Sequence, residues 1–118
     1  AYSHYAWLNT PKARGGIAGV EYPIVSDINK TISQEYGVLM PEQGIALRGL
    51  FLIDKEGIVR HQTVNDLPLG RSVNEVLRMI DALTHFEQNG DVCPANWTLG
   101  EKSMKPNHSD LERYYAGV

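Results

Sequence analysis

The chain has 118 residues, 42% apolar and 21% charged, with 11 Gly and 6 Pro, the profile of one ordinary globular domain rather than a fibrous or disordered chain. With 11 Lys and Arg against 14 Asp and Glu, the net charge is -3 and neither sign forms a run, which argues against a nucleic-acid surface. The longest apolar stretch, residues 49–53, is far below the roughly 20 residues of a membrane helix. No basic segment with a long apolar core opens the sequence, so a soluble chain without a secretory signal is expected.

Residues 2–9 are rich in aromatics and stop at Pro11, which predicts a short helix followed by an extended Thr10. Gly15, Gly16 and Gly19 then make a loop able to take positive φ or close backbone approach. No strand precedes it and no Gly-Lys-Ser follows, so a structural role is preferred to phosphate binding. Tyr22-Pro23-Ile24-Val25 reads as a short buried strand, and Ile28, Ile32 and Tyr36 read as the buried stripe of a helix closed by Gly37. Residues 46–53 form an apolar run broken by Arg48 and Gly49, read as a central strand covered on both faces.

Asp54-Lys55-Glu56-Gly57 is a tight turn. After it Ile58, Arg60, Gln62 and Val64 alternate with Val59, His61 and Thr63, giving a β-hairpin whose second strand is a wetter edge. Ser72-Val73-Asn74-Glu75 has capping-box spacing, and Val73, Val76, Leu77, Ile80 and Leu83 continue a helix to Asn89-Gly90. Residues 91–118, poor in aliphatics and holding Pro94, Gly100 and Pro106, read as a tail and not a core, although Trp97, Leu111, Tyr114 and Tyr115 need a surface to dock on.

Few residues invite chemistry. Cys93 is the single cysteine, which excludes an internal disulfide and a cysteine-based zinc cluster. His4, His61, His85 and His108 are too scattered for a local ligand pair, so neither a metal nor a cofactor is expected. An inert packing thiol competes with a reactive one at Cys93; its place at the head of a Pro-containing segment favours an exposed thiol that exchanges with one from elsewhere. Arg48 in an apolar strand suggests a partner anion, with snorkelling to the sheet end as the alternative. Arg71 suits an anion and a nearby carboxylate equally well. The triplets beginning at Asn29, Asn96 and Asn107 match the glycan-acceptor pattern and are read as chance. Hydrolase and kinase motifs are missing from the sequence.

Several segments taken together resemble the typical 2-Cys peroxiredoxins from end to end. They are His4-Tyr5-Ala6-Trp7-Leu8-Asn9-Thr10-Pro11, Gly15-Gly16, Tyr22-Pro23-Ile24-Val25-Ser26-Asp27, Tyr36-Gly37-Val38, Arg48-Gly49-Leu50-Phe51-Leu52-Ile53-Asp54, Val64-Asn65-Asp66-Leu67-Pro68, Gly70-Arg71-Ser72 and Val92-Cys93-Pro94-Ala95-Asn96-Trp97. The resemblance implies an α/β, thioredoxin-like fold and a thiol peroxidase that reduces hydrogen peroxide and alkyl hydroperoxides. In that family a peroxidatic cysteine in Pro-x-x-x-Thr/Ser-x-x-Cys attacks peroxide, and its sulfenic acid condenses with a resolving cysteine of a partner subunit. Cys93 matches the resolving cysteine, Arg48 the arginine that stabilises the thiolate and orients peroxide, and Arg71 a second arginine of that environment.

The peroxidatic motif is missing from these 118 residues. The expectation is a C-terminal portion: residues 1–92 complete a thioredoxin-like domain as helix, strand, helix, hairpin and helix, and residues 93–118 are an extended resolving-cysteine tail. The competing expectation is a catalytically dead thioredoxin-like binding module that acts through mixed disulfides or docks on an intact peroxiredoxin. The resemblance further implies a cytoplasmic homodimer through the edge strand of residues 58–64, decamers formed near residues 2–7, and recycling by thioredoxin or a similar reductase. Gly15-Gly16-Ile17-Ala18-Gly19 and Tyr114-Tyr115 are near matches to the family's overoxidation-sensitive features, which implies moderate sensitivity.

Overall fold

The computed structural model describes residues 1–117, in two compact units, Ala1–Ile45 and the chain from Ala46 onward. In the first unit, α1 (Tyr2–Leu8) ends at Asn9, whose side-chain amide donates to the Tyr5 carbonyl at 2.8 Å. A 3-10 turn (Lys12–Arg14) follows and closes on Gly15 at φ 81°, whose carbonyl accepts from Trp7 Nε1 at 3.0 Å. A Cβ on Gly16 would stand 1.9 Å from the Thr10 carbonyl oxygen, so only glycine fits and the loop's glycines serve close packing.

Two expectations fail in this unit. Residues 22–25 form no strand, because among the described residues no segment offers them a ladder; Tyr22 and Val25 are exposed. The helix after them, α2 (Thr31–Glu35), is one turn shorter than its apolar spacing suggests, and Ile28, Ile32 and Tyr36 are exposed rather than buried. Its start is set by Asp27, whose carboxylate accepts from the Ile32 amide at 3.0 Å and from the Ser33 amide and hydroxyl at 2.9 and 2.6 Å. These bonds favour the charged form and hold the Asp27 carboxyl below the usual range. Gly37 adopts φ 71° and its amide closes the helix on Gln34, the role its position suggests. Strands β1 (Leu39–Met40) and β2 (Ile45–Ala46) form a small ladder across the Gly44 turn.

In the second unit, β3 (Arg48–Ile53) and β4 (Val59–Asn65) pair antiparallel from Arg48↔Asn65 to Ile53↔Val59, with a bulge between Leu52 and Ile53. Asp54 builds the turn: its carboxylate accepts from the Glu56 and Ile58 amides, both at 2.9 Å, and pairs with Arg60 at 3.2 Å. The central strand expected over residues 46–53 is corrected on two counts. It breaks at Leu47, and among the described residues β3 has a neighbour on one edge alone.

Helix α3 (Val73–Asn89) starts where Ser72 Oγ accepts from the Glu75 amide at 3.2 Å and stops at Gly90, φ 69°. The reciprocal half of the capping box is replaced, because Arg78 takes the Glu75 carboxylate. Met79, Ala82, Leu83 and Phe86 face the hairpin and line, with Leu52, Arg60 and His61, a cavity of about 160 Å³. Val73, Leu77 and Ile80 form a second apolar stripe, exposed by 66%, 53% and 40%.

The reading of residues 91–118 as an extended tail is also corrected. Trp97 is 1% exposed and Met104 8%, which makes this stretch the best-buried part of the second unit. A bridge joins Val92 and Met104 through bonds of 2.8 and 3.2 Å, and α4 (His108–Ala116) follows, capped by Asn107 Oδ1 accepting from the Asp110 amide at 2.9 Å. Composition misled here because one tryptophan replaces several aliphatic side chains. No helix among the described residues is long and apolar enough to cross a membrane.

Candidate functional site

The β4–α3 connection carries Arg71 and meets Arg48 at the start of β3, the two arginines singled out by sequence. Arg48 does not interrupt a strand but opens one, after the kink at Leu47; it is exposed, and its Nε donates to the Leu67 carbonyl. Arg71, just before α3, donates from Nη1 to the Gly49 carbonyl at 2.9 Å, and Asn65 Nδ2 donates to the Gly70 carbonyl at 3.0 Å. These bonds tie residues 65–71 to the start of β3 and bring both guanidinium groups to one loop. Among the described residues no carboxylate lies in ion-pair reach of either. Two cations oriented by neutral carbonyls keep their charge available to an anion.

Cys93 is not with them. It follows the far end of α3 and turns back along the helix, so that its Sγ lies 3.8 Å from the Ala82 carbonyl oxygen. By helical rise, Ala82 is about 14 Å from the first turn beside Arg71. The exposed thiol expected at the head of a tail is instead half-buried. Burial pushes its pKa above the ordinary value, the Asp91 carboxylate adds to the rise, and Arg78 pulls the other way. In this position Cys93 is held as the neutral thiol, the less nucleophilic form.

Four residues of α3 at helical spacing hold the Cys93 segment: Arg78, Ala82, His85 and Asn89. Arg78 Nη1 donates to the Trp97 carbonyl at 2.8 Å, while its Nε and Nη2 each donate to Glu75 at 2.8 Å. His85 stacks at a tilt on Trp97, centroids 5.0 Å apart, with Nε2 2.9 Å from Ser103 Oγ. Ser103 Oγ in turn donates to Asp91 Oδ2 at 2.8 Å. Lys105 pairs with Asp91 and donates to the Asn89 carbonyl at 2.7 Å. Lys105 foremost, then Ser103, hold the Asp91 carboxyl below the usual range. Among the described residues no group of three or more His, Cys, Asp or Glu is placed to hold a metal.

Arg78 and His85 were not legible as site residues. Glu75 and Arg78 at i,i+3 look like an ordinary surface pair, and their third partner, the Trp97 carbonyl, lies 19 residues away in sequence.

The chain is similar in sequence and fold to known proteins. Residues 1–62 match the AhpC/TSA family, and residues 82–115 match the C-terminal domain of 1-Cys peroxiredoxin. The chain is 51% identical over 117 residues to the chloroplastic 2-Cys peroxiredoxin of Hordeum vulgare, covering 99% of this chain and 56% of that relative. It is 57% identical over 111 residues to alkyl hydroperoxide reductase C of Helicobacter pylori, covering 94% of this chain and 56% of that relative. It superposes on the reduced 2-Cys peroxiredoxin of Plasmodium vivax with a TM-score of 0.91 at 50% identity, over 98% of this chain and 59% of that one, a thioredoxin-like fold. The chain thus spans little more than half the length of these relatives. With more than half of its residues matched by the family model, the chain belongs to the AhpC/TSA family of peroxiredoxins.

Proposed function

We propose that this chain carries the resolving-cysteine portion of a thiol-dependent peroxidase that reduces hydrogen peroxide and alkyl hydroperoxides. Residues 1–92 supply the C-terminal part of the thioredoxin-like domain and residues 93–118 the resolving segment. The observation that carries the reading is the pair of guanidinium groups, Arg48 and Arg71, oriented by the Leu67 and Gly49 carbonyls with their charge uncompensated. Such a pair favours a thiolate over a thiol and orients the peroxide whose O–O bond that thiolate breaks. The sulfenic acid left on the peroxidatic cysteine then meets Cys93 of a second subunit and forms a disulfide, which thioredoxin or a similar reductase reopens.

The outer edge of β4 has no neighbouring strand among the described residues, and Ile58, Val59 and Val64 are exposed there or next to it, which supports a homodimer through residues 58–64; dimers meeting near residues 2–7 would give decamers. A cytoplasmic site suits free-thiol chemistry.

In the full-length protein, Cys93→Ser is expected to allow one round of peroxide reduction while abolishing the intersubunit disulfide and turnover with thioredoxin. Steady-state turnover equal to wild type would refute the assignment. The alternative of a dead binding module requires that the whole protein consume no peroxide at all, which the same assay decides.

A further inference from the structure

Of the α3 side chains that hold the Cys93 segment, Arg78 is the one that donates a hydrogen bond to the turn after the cysteine. Arg78 Nε and Nη2 each donate to Glu75 at 2.8 Å, and a planar fork held by two bonds cannot swing without losing both. The third arm is thereby aimed, and Nη1 donates to the Trp97 carbonyl at 2.8 Å. The Trp97 amide donates to the Pro94 carbonyl at 3.1 Å, so the turn after Cys93 is fixed as one piece. Ala82, whose carbonyl lies 3.8 Å from Cys93 Sγ, stands one helical turn beyond Arg78 on the same face of α3.

We infer that Arg78 is a positioning residue for Cys93: aligned by Glu75, it pins the turn of residues 94–97 to α3 and sets how readily the thiol leaves the helix to react. The inference rests on the reading of Cys93 as the thiol that closes the intersubunit disulfide. In that step Cys93 Sγ gives up its proton and forms an S–S bond to the sulfur of a sulfenic acid. The S–O bond of that acid breaks and the hydroxide leaves with the proton as water; Cys93 is oxidised and the sulfenic sulfur reduced. A sulfur that must reach a second chain cannot do so while both ends of its turn are fastened to the helix.

The charged and titratable groups around Cys93 are Asp91 on its own segment, Arg78 on α3 with Glu75 behind it, and His85 one turn further along, tied to Ser103. The test therefore separates access from charge. In the full-length protein, reduced and free of peroxide, alkylation of Cys93 by iodoacetamide is followed by peptide mass spectrometry from neutral to alkaline pH. Arg78→Lys keeps the charge and loses the fork, and should raise the alkaline plateau rate about fivefold, the worth of one hydrogen bond, with the midpoint unchanged. Arg78→Met should raise the plateau equally and move the midpoint above that of Arg78→Lys. Glu75→Gln should lie between wild type and Arg78→Lys, and it decides the matter if either Arg78 variant fails to fold. Plateau rates within about twofold of wild type in every folded variant would overturn the inference. Cys93→Ser given one equivalent of peroxide tests the underlying reading separately: a surviving intersubunit disulfide refutes that reading and leaves the alkylation result on the clamp standing.

Discussion

Arg48 and Arg71 are oriented by main-chain carbonyls and keep their charge, whereas Arg78 gives its charge to Glu75 in a two-bond pair and uses its remaining arm to hold the Trp97 carbonyl. The same side chain thus serves opposite ends in two regions of one unit. At the start of β3 the neutral acceptors fix direction without neutralising, which leaves an electropositive loop. Along α3 the carboxylate neutralises, and what remains is a fastening. The thiol lies in the second region, where burial and Asp91 keep it protonated. The lesson is that the partner, not the arginine, decides whether a guanidinium recruits an anion or builds a segment.

The contrast breaks most severely at Trp97. Trp97→Ala removes the best-buried side chain of the unit and should cost about 3–5 kcal/mol in urea unfolding of the full-length protein. Hydrogen exchange should speed up at the Val92 and Met104 amides while the β3–β4 ladder stays protected; equal losses in both would show that the two regions form one cooperative piece. Arg48→Ala should act on the other region alone. Peroxide reduction in the full-length protein is expected to slow about 100-fold, the usual cost of a positioned charged donor, with exchange at Val92 and Met104 unaltered. An unchanged stopped-flow rate would remove Arg48 from the chemistry.

The smallest effect is the one on Cys93 itself. A thiol with a raised pKa stabilises the folded form below the ordinary thiol value, and that contribution is lost as pH rises through the raised one. Native Cys93 should therefore alkylate several-fold more slowly at mildly alkaline pH than an unfolded peptide of residues 91–97, and urea should close the gap. A native rate equal to the peptide's would mean that the α3 seam gives no protection.

The hairpin and α3 were legible because their signals are local. Strand alternation after Asp54, the Asp54–Gly57 turn, the Ser72 cap and the Gly90 stop each depend on residues close in sequence. The candidate cysteine and arginines were found by type and by family resemblance, yet the state of the thiol was not. Its burial depends on Ala82, 11 residues away, and on a turn held by Arg78. The apolar run at residues 22–25 misled for the converse reason, since a strand needs a neighbour and this one has none among the described residues. Trp97 shows the limit of composition: a stretch almost without aliphatics buries more completely than α3, none of whose residues is fully buried.

The pairing of Trp97 with His85 also has an optical meaning. Trp97 is 1% exposed and stacked 5.0 Å from an imidazole, whereas Trp7 is 47% exposed, so the two indoles differ in emission colour and in access to a dissolved quencher. Release of the Cys93 segment would bring Trp97 from its buried place into water and move its emission to the red. The molecule carries its own lamp for watching the thiol depart.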